Sequence, residues 1–331
     1  MILPYLGYGT RSRVRLCGRV LQDEGLRPAR DVESKWRNLV AFYRRLESDE
    51  VPGARLTATL RNRAVEALSD REGYFILRFD GLSLKAGWHE ISIVLSDKPT
   101  VRAAGRVLVP SPRARFGVIS DIDDTVVVSN VQNKLKMVLA LALSNARTRK
   151  PFKGVAAFYR ALHAGRNPMF YVSKSPWNLY TPLLEFFRVQ GLPPGPLVLR
   201  DFGWRMSKSH KSEAIEAILR TYPRLPFVLI GDSGEQDPEI YSDIVHRFPR
   251  RIRVVYIRSV DANRIAAVRQ LIEKLAPSGA QLVLAPDSEF AAAHAAGEGL
   301  IQASDLRAIR SDRRSDESSG SKPLASSGAL K

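Results

Sequence analysis

The sequence predicts an α/β protein in two parts: a Rossmann-like parallel sheet with helices on both faces, preceded by a smaller antiparallel β-sandwich. Three observations lead there. Between about Val14 and Pro110, short runs alternate apolar and polar residues and are separated by Gly, Asp and Ser turns. From Phe116 onward, apolar runs alternate with longer stretches whose apolar residues recur every three or four positions, the pattern of βαβ units. Between the two, PSPRAR from Pro110 to Arg115 interrupts both periodicities. The expected organisation is a β-sandwich over 1–110, a parallel-sheet domain over 111–285 with a small cap at about 126–150, and an Ala-rich segment and tail over 286–331.

In the first part, VRLCGRVL, RLTATLRN, GYFILRFD, GWHEISIVL and VRAAGRVLV read as strands. Asp31 to Arg45 places Trp36, Leu39, Val40, Phe42 and Tyr43 near helical spacing and is expected to be an inserted helix. His89, beside Trp88, stands without a catalytic constellation around it and is expected to be an ordinary strand residue. In the second part, FGVIS, PMFYVS, PLVLR, PFVLIG and RIRVVYI are the expected strands. GVAAFYRALHAG, PWNLYTPLLEFFRVQG, SEAIEAILRTY and PEIYSDIVHRF are the helices between them, and Asn263 to Leu275 is a last helix against the sheet. From Ser311 the tail has no apolar face and is expected to be disordered.

Composition bounds the function. The 331 residues are 44% hydrophobic, enough for two ordinary cores. Lys and Arg number 51 against 34 Asp and Glu, a net charge of +17, which favours nucleic acid, anionic lipid or other polyanions. One cysteine, Cys17, excludes a disulfide framework and a multi-cysteine metal cluster. The opening MILPYLGYGTRSRVRL lacks the charged and apolar regions of a secretory signal. The apolar run Met137 to Leu143 falls far short of the roughly 20 residues needed to span a bilayer. A cytoplasmic protein is expected, peripheral at a membrane if it meets one.

The candidate site starts at FGVISDIDDT, Phe116 to Thr125, where an apolar strand turns into Asp121, Asp123, Asp124 and Thr125. Ligands of open α/β sheets bind outside the carboxyl ends of the strands, so these acids stand where chemistry is done. The second strand ends in Ser173 followed by Lys174, and the fourth in Gly231-Asp232, with Glu235 and Asp237 in the loop beyond. Lys208 and Lys211 lie between the third and fourth strands.

In that order, DIDDT, VSKS, SHKSEAI and GDSGEQD resemble the four motifs of haloacid dehalogenase-like phosphohydrolases. The longer stretches FYVSKSPWNLY and FVLIGDSGEQDPEIY are similar to the App1-type phosphatidate phosphatase family, over roughly Phe116 to Leu275. The resemblance implies a phosphoric monoester hydrolase that converts phosphatidate to diacylglycerol and phosphate. Asp121 would be the nucleophile that forms an aspartyl-phosphate, and Asp123 the acid that protonates the leaving oxygen and later activates water. Ser173, Thr125 and Lys211 would contact the phosphoryl group, whereas Lys174 departs from the family pattern, which has a smaller polar residue there, and either contacts phosphate as well or faces solvent. Either Lys208 or Lys211 can be the motif lysine, and Lys211 is preferred because it opens a helix. Mg²⁺ would be held by Asp121, the backbone carbonyl of Asp123, and Asp232, with Asp237 supporting these ligands and Asp124 either orienting the loop and the metal waters or satisfying a backbone amide.

Val131 to Lys150 has an apolar centre between basic ends and is a candidate lid that admits acyl chains or rests on an anionic membrane surface. An ordinary buried helix fits the same pattern. Two other functions stay open: a phosphatase of soluble phosphomonoesters or nucleic-acid ends, for which Trp177 and Trp204 offer stacking surfaces, and a catalytically idle membrane or scaffold adaptor.

Overall fold

A computed structural model of the chain describes residues 1–22, 50–122, 154–200, 209–275 and 279–320. The expected helix at Asp31 to Arg45, the cap at 126–150, and Asp123, Asp124, Thr125, Trp204 and Lys208 lie outside the described residues.

The first sheet has eight strands: β1 (Ile2–Pro4), β2 (Gly7–Gly9), β3 (Val14–Val20), β4 (Arg55–Leu60), β5 (Arg63–Leu68), β6 (Tyr74–Phe79), β7 (Gly87–Leu95) and β8 (Lys98–Val109). Their order is β1-β3-β2-β8-β7-β4-β5, with β6 paired to the other side of β3. Every pair is antiparallel except β2 with β8. Edge strands β5 and β6 contact each other, so the sheet folds over one core that includes Leu16, Leu56, Phe75, Leu77, Ile91, Ile93 and Val107. Alternation decides which side chains enter it. In β6 the buried set is Phe75, Leu77 and Phe79, while Ile76 is 43% exposed. Strand β5 was not expected from the sequence. It follows β4 through the two residues Arg61 and Asn62, a turn without Gly in which Arg61 adopts φ 54°, so the usual hairpin signal is missing.

The second sheet is parallel throughout, in the order β11-β10-β9-β12-β13-β14. Its strands are β9 (Gly117–Asp121), β10 (Met169–Pro176), β11 (Leu197–Arg200), β12 (Phe227–Asp232), β13 (Ile252–Arg258) and β14 (Gln281–Ala285). Helices α1 (Val155–His163), α2 (Tyr180–Val189), α3 (His210–Thr221), α4 (Asp237–Arg247) and α5 (Ile265–Leu275) alternate with them, and α6 (Ser288–Gly297) and α7 (Asp305–Gly320) follow. Successive strand residues enter opposite cores: Val118, Met169 and Tyr171 face one with α1 and α2, and Ile119, Phe170 and Val172 face the other with α3 and α4. That double burial explains why these strands read as continuous apolar runs rather than alternating ones. The sixth strand, β14, adds to the five expected. It is short and lies between the Pro-Ser-Gly stretch at 277–279 and the Ala-rich helix, which hides it in sequence.

The chain runs outward from β9 to β11 and then returns to the other side of β9 at β12. The strand order therefore reverses between β9 and β12, the crevice where ligands of such sheets bind.

The N-terminal strands pack directly on this sheet. Tyr5 stacks on Trp177 with ring centroids 4.1 Å apart, and the Leu6 amide donates to the Tyr180 hydroxyl at 2.5 Å. Tyr8 meets Phe170 edge-on, and Tyr222 donates to the Gly9 carbonyl at 3.1 Å.

Residues 321–331 of the tail lie outside the described residues, whereas Ser311 to Gly320 depart from expectation and form the helical end of α7. Its anchors come from elsewhere in the chain. Ile309 is buried, Arg313 reaches Asp287 at 2.9 Å and Glu289 at 3.0 Å, and Arg310 reaches Glu289 at 2.7 Å. Helix α1 begins at Gly154 (φ 78°), which has no side chain to cap it. Asp312 accepts a hydrogen bond from the Ala157 amide at 3.2 Å and so does the work of an N-cap residue from a different helix. A Cβ on Gly154 would lie 3.2 Å from the Ile309 carbonyl, so the glycine serves both the backbone angle and the close approach of α7.

Candidate active site

Parallel pairing places the ends of β9, β10 and β12 side by side, with Asp121 level with Val172 and Ile230 level with Ser120. Asp121, Ser173 and Asp232 therefore emerge at one sheet edge, all buried. Helix α3 delivers Lys211 from the first residues of its N-terminal turn.

Lys211 is the centre of the arrangement. Its Nζ lies 2.7 Å from Asp121 Oδ1, pairs closely with Asp237 Oδ1, and lies 3.9 Å from Glu235 Oε2. The Lys211 and Asp121 side chains are 1% and 0% exposed, so this ion pair is formed without solvent. An ammonium would not be retained there without such partners.

Asp237 opens α4, ahead of Pro238 at the start of the helix. One of its oxygens engages Lys211, and the other accepts the Asp232 amide at 3.3 Å. A Cβ at position 231 would fall 2.2 Å from Asp237 Oδ2, which explains the glycine before Asp232. Burial pushes the Asp237 carboxyl up to about 6, against the opposing pull of Lys211. Asp232 Oδ1 accepts the amides of Gly234 (2.6 Å) and Glu235 (3.2 Å), which curls the loop back over the strand end. Ser233 accepts the amides of Val260 and Asp261 and ties this loop to the chain after β13.

Ser173 Oγ accepts the Ser175 amide at 2.9 Å. Lys174, next to it, reaches Glu235 Oε2 at 2.6 Å. Glu235 thus faces both lysines, a position that its place in an acid-rich loop did not reveal. On the opposite face of β9, Ser120 Oγ donates to the Asp121 carbonyl at 2.8 Å and lies 2.6 Å from the Tyr159 hydroxyl. Burial holds the Tyr159 phenol well above its usual range, so it stays protonated. Neither Ser120 nor Tyr159 carries a sequence signal of function: one is the polar residue before an acid, the other an aromatic on an apolar helix face.

Asp121, Asp232 and Asp237 each present a carboxylate oxygen, and these oxygens lie within 4.8 Å of one another. The donor set is all oxygen, the kind that hard divalent cations such as Mg²⁺ take. Among the described residues joined by these contacts, the four carboxylates of Asp121, Asp232, Glu235 and Asp237 face the two ammonium groups of Lys174 and Lys211. A divalent cation would offset that excess, so the residues fit the metal.

Residues 116–259 match the family described as the catalytic domain of phosphatidate phosphatase APP1. Over 151 residues the chain is 33% identical to the phosphatidate phosphatase APP1 of Saccharomyces cerevisiae, covering 43% of this chain and 26% of that protein. It is 28% identical over 243 residues to an uncharacterised protein of Schizosaccharomyces pombe, covering 68% of this chain and 40% of that one. The aligned stretches thus span 26% and 40% of the length of these relatives. Among solved structures, a HAD family hydrolase from Deinococcus radiodurans R1, with bound phosphate and sodium, aligns with 57% of this chain and 99% of its own at 18% identity and a TM-score of 0.33.

Proposed function

We propose, from the premise that residues 116–259 belong to the App1-type phosphatidate phosphatase catalytic-domain family, that this chain hydrolyses phosphate monoesters and that its substrate is phosphatidate. The observation that carries the reading is the buried Asp121–Lys211 pair, with the carboxylates of Asp232 and Asp237 beside it at the strand switch point.

In this reading an Asp121 oxygen attacks phosphorus and the bond to the diacylglycerol oxygen breaks. Asp123 protonates that oxygen as it leaves. The product on the enzyme is an aspartyl-phosphate. Asp123, now a carboxylate, takes a proton from water, the water oxygen attacks phosphorus, and phosphate leaves with Asp121 regenerated. Lys211 holds Asp121 in position and offsets the charge gathering on the phosphoryl oxygens, which is where most of the stabilisation in phosphoryl transfer lies. Asp237 fixes Lys211 from behind. Ser173 would bond a phosphoryl oxygen, with Lys174 and Thr125 as further contacts. Mg²⁺ would be held by Asp121, Asp232 and the Asp123 carbonyl, and when bound it neutralises the repulsion between carboxylate and phosphate.

The net charge of +17 and the basic ends of Val131 to Lys150 support recruitment to an anionic lipid surface. Among the described residues no helix is long and apolar enough to cross a membrane, which fits a peripheral mode of contact.

The test is phosphate release from phosphatidate in mixed micelles, a small aryl phosphate and a 5′-phosphorylated oligonucleotide, each with Mg²⁺ and with chelator. Phosphatidate should be the preferred substrate, chelator should abolish turnover, and Asp121→Asn should eliminate it. Preference for the oligonucleotide would overturn the lipid assignment, and full activity of Asp121→Asn the aspartyl-phosphate.

A further inference from the structure

We propose that Tyr159 is a positioning residue for Asp121, acting through Ser120, and that the C-terminal helix α7 holds it in place. The inference rests on Asp121 being the nucleophile.

Proton inventory orients the contacts. A serine hydroxyl has one hydrogen, and that of Ser120 goes to the Asp121 carbonyl at 2.8 Å. The 2.6 Å contact between Ser120 and Tyr159 must then run the other way, with the phenol donating to Ser120 Oγ. The result is a directed chain from Tyr159 through Ser120 to the last peptide of β9. Ser120 is 0% and Tyr159 3% exposed, so water does not compete for these groups. A phenylalanine would fill the same volume in this core, whereas a buried hydroxyl requires a partner. That requirement is met on the peptide whose rotation would swing the Asp121 carboxylate relative to Lys211, 2.7 Å away.

The other end of the chain is fixed by α7. Tyr159 lies in α1, where Asp312 caps the Ala157 amide at 3.2 Å and lies 3.8 Å from Arg160. Ala157 and Arg160 bracket Tyr159 on the helix. The rotation and height of α1 against β9 thus depend on a helix from the far end of the sequence. The contacts run without a break from α7 through α1 to β9, and mutational coupling tests whether they act together.

The variants are Tyr159→Phe, Ser120→Ala, their double, Ser120→Thr and Asp312→Ala, assayed for phosphate release against substrate concentration and for melting temperature in the full chain. Tyr159→Phe should fold with a cooperative melt and lose kcat on the order of 10- to 100-fold, the cost of a misplaced reacting group, with KM unchanged. The double variant should be no worse than the poorer single, because both remove one chain of contacts. Ser120→Thr, which keeps a hydroxyl, should restore most of kcat, and Asp312→Ala should lower kcat without raising KM. A Tyr159→Phe kcat within about twofold of wild type, or losses that multiply in the double variant, would overturn the relay. Unchanged kcat in Asp312→Ala would remove α7 from it. These failures differ from failure of the nucleophile assignment, in which the wild type releases no phosphate or Asp121→Asn keeps the wild-type rate, and which overturns both.

Discussion

Lys211 Nζ sits 2.7 Å from Asp121 Oδ1 with both side chains withdrawn from water, so each charge depends on the other. Removing the lysine strands two buried carboxylates, Asp121 and Asp237. Lys211→Met should destabilise the fold by about 3–5 kcal/mol, the usual cost of breaking such a pair. Phosphate release should fall below detection. Adding Asp121→Asn to the same chain should restore part of the stability, with Asp237 still unpaired, and none of the activity. Urea unfolding of the two variants checks the sign, and equal stability of the single and double variants would contradict it.

The carboxylate cluster makes a prediction that needs no turnover. A ligand bound only to the folded state at about 100 times its Kd adds about 2.7 kcal/mol. Mg²⁺ should therefore raise the melting temperature of the wild type, and Asp232→Asn should cancel the rise. A wild-type melt indifferent to Mg²⁺ would show that Asp121 and Asp232 do not hold it.

Lys174 and Glu235 pair at 2.6 Å beside Ser173, at the open side of the site. If Lys174 contacts substrate phosphate, Lys174→Met loses a charge-assisted hydrogen bond worth about 1.5–3 kcal/mol. That contact would exist before and during the reaction, so KM should rise roughly tenfold or more while kcat holds. Steady-state kinetics on phosphatidate separate the two, and a fall in kcat at constant KM would place Lys174 among the groups that act only in the transition state.

Asp312 caps a helix that is not its own. Asp312→Ala should cost about 1 kcal/mol, the typical loss of an N-cap side chain. Denaturant unfolding measures it. Asp312→Asn, whose amide oxygen can still accept the Ala157 hydrogen, should cost less, and an equal loss would assign the effect to the carboxylate charge facing Arg160 instead.

Local patterns carried far in this chain. Five strands of the parallel sheet are legible as apolar runs because both of their faces are buried, and the polar residues Asp121 and Asp232 mark the carboxyl ends of β9 and β12, whereas β10 runs three residues past its expected end at Ser173, to Pro176. Strand β5 and strand β14 were hidden because one follows a turn without glycine and the other is a short run against an Ala-rich helix. The part of helix α7 from Ser311 onward reads as disordered in sequence because it has no apolar face. What orders it are ion pairs to Asp287 and Glu289 and the cap on Ala157, partners that no window around Ser311 contains.

By itself, the sequence determined the α/β class, the strand ends that carry the acids, and the resemblance to a phosphatase motif set. All of these follow from the order and spacing of neighbouring residues. Only the tertiary structure decided that β9 lies between β10 and β12, that Lys211 meets Asp121 and Asp237, that Glu235 faces two lysines, and that Tyr159 reaches Ser120. Periodicity reports which face of an element is buried. It does not report which element covers that face, and in this chain the chemistry depends on those long-range pairings.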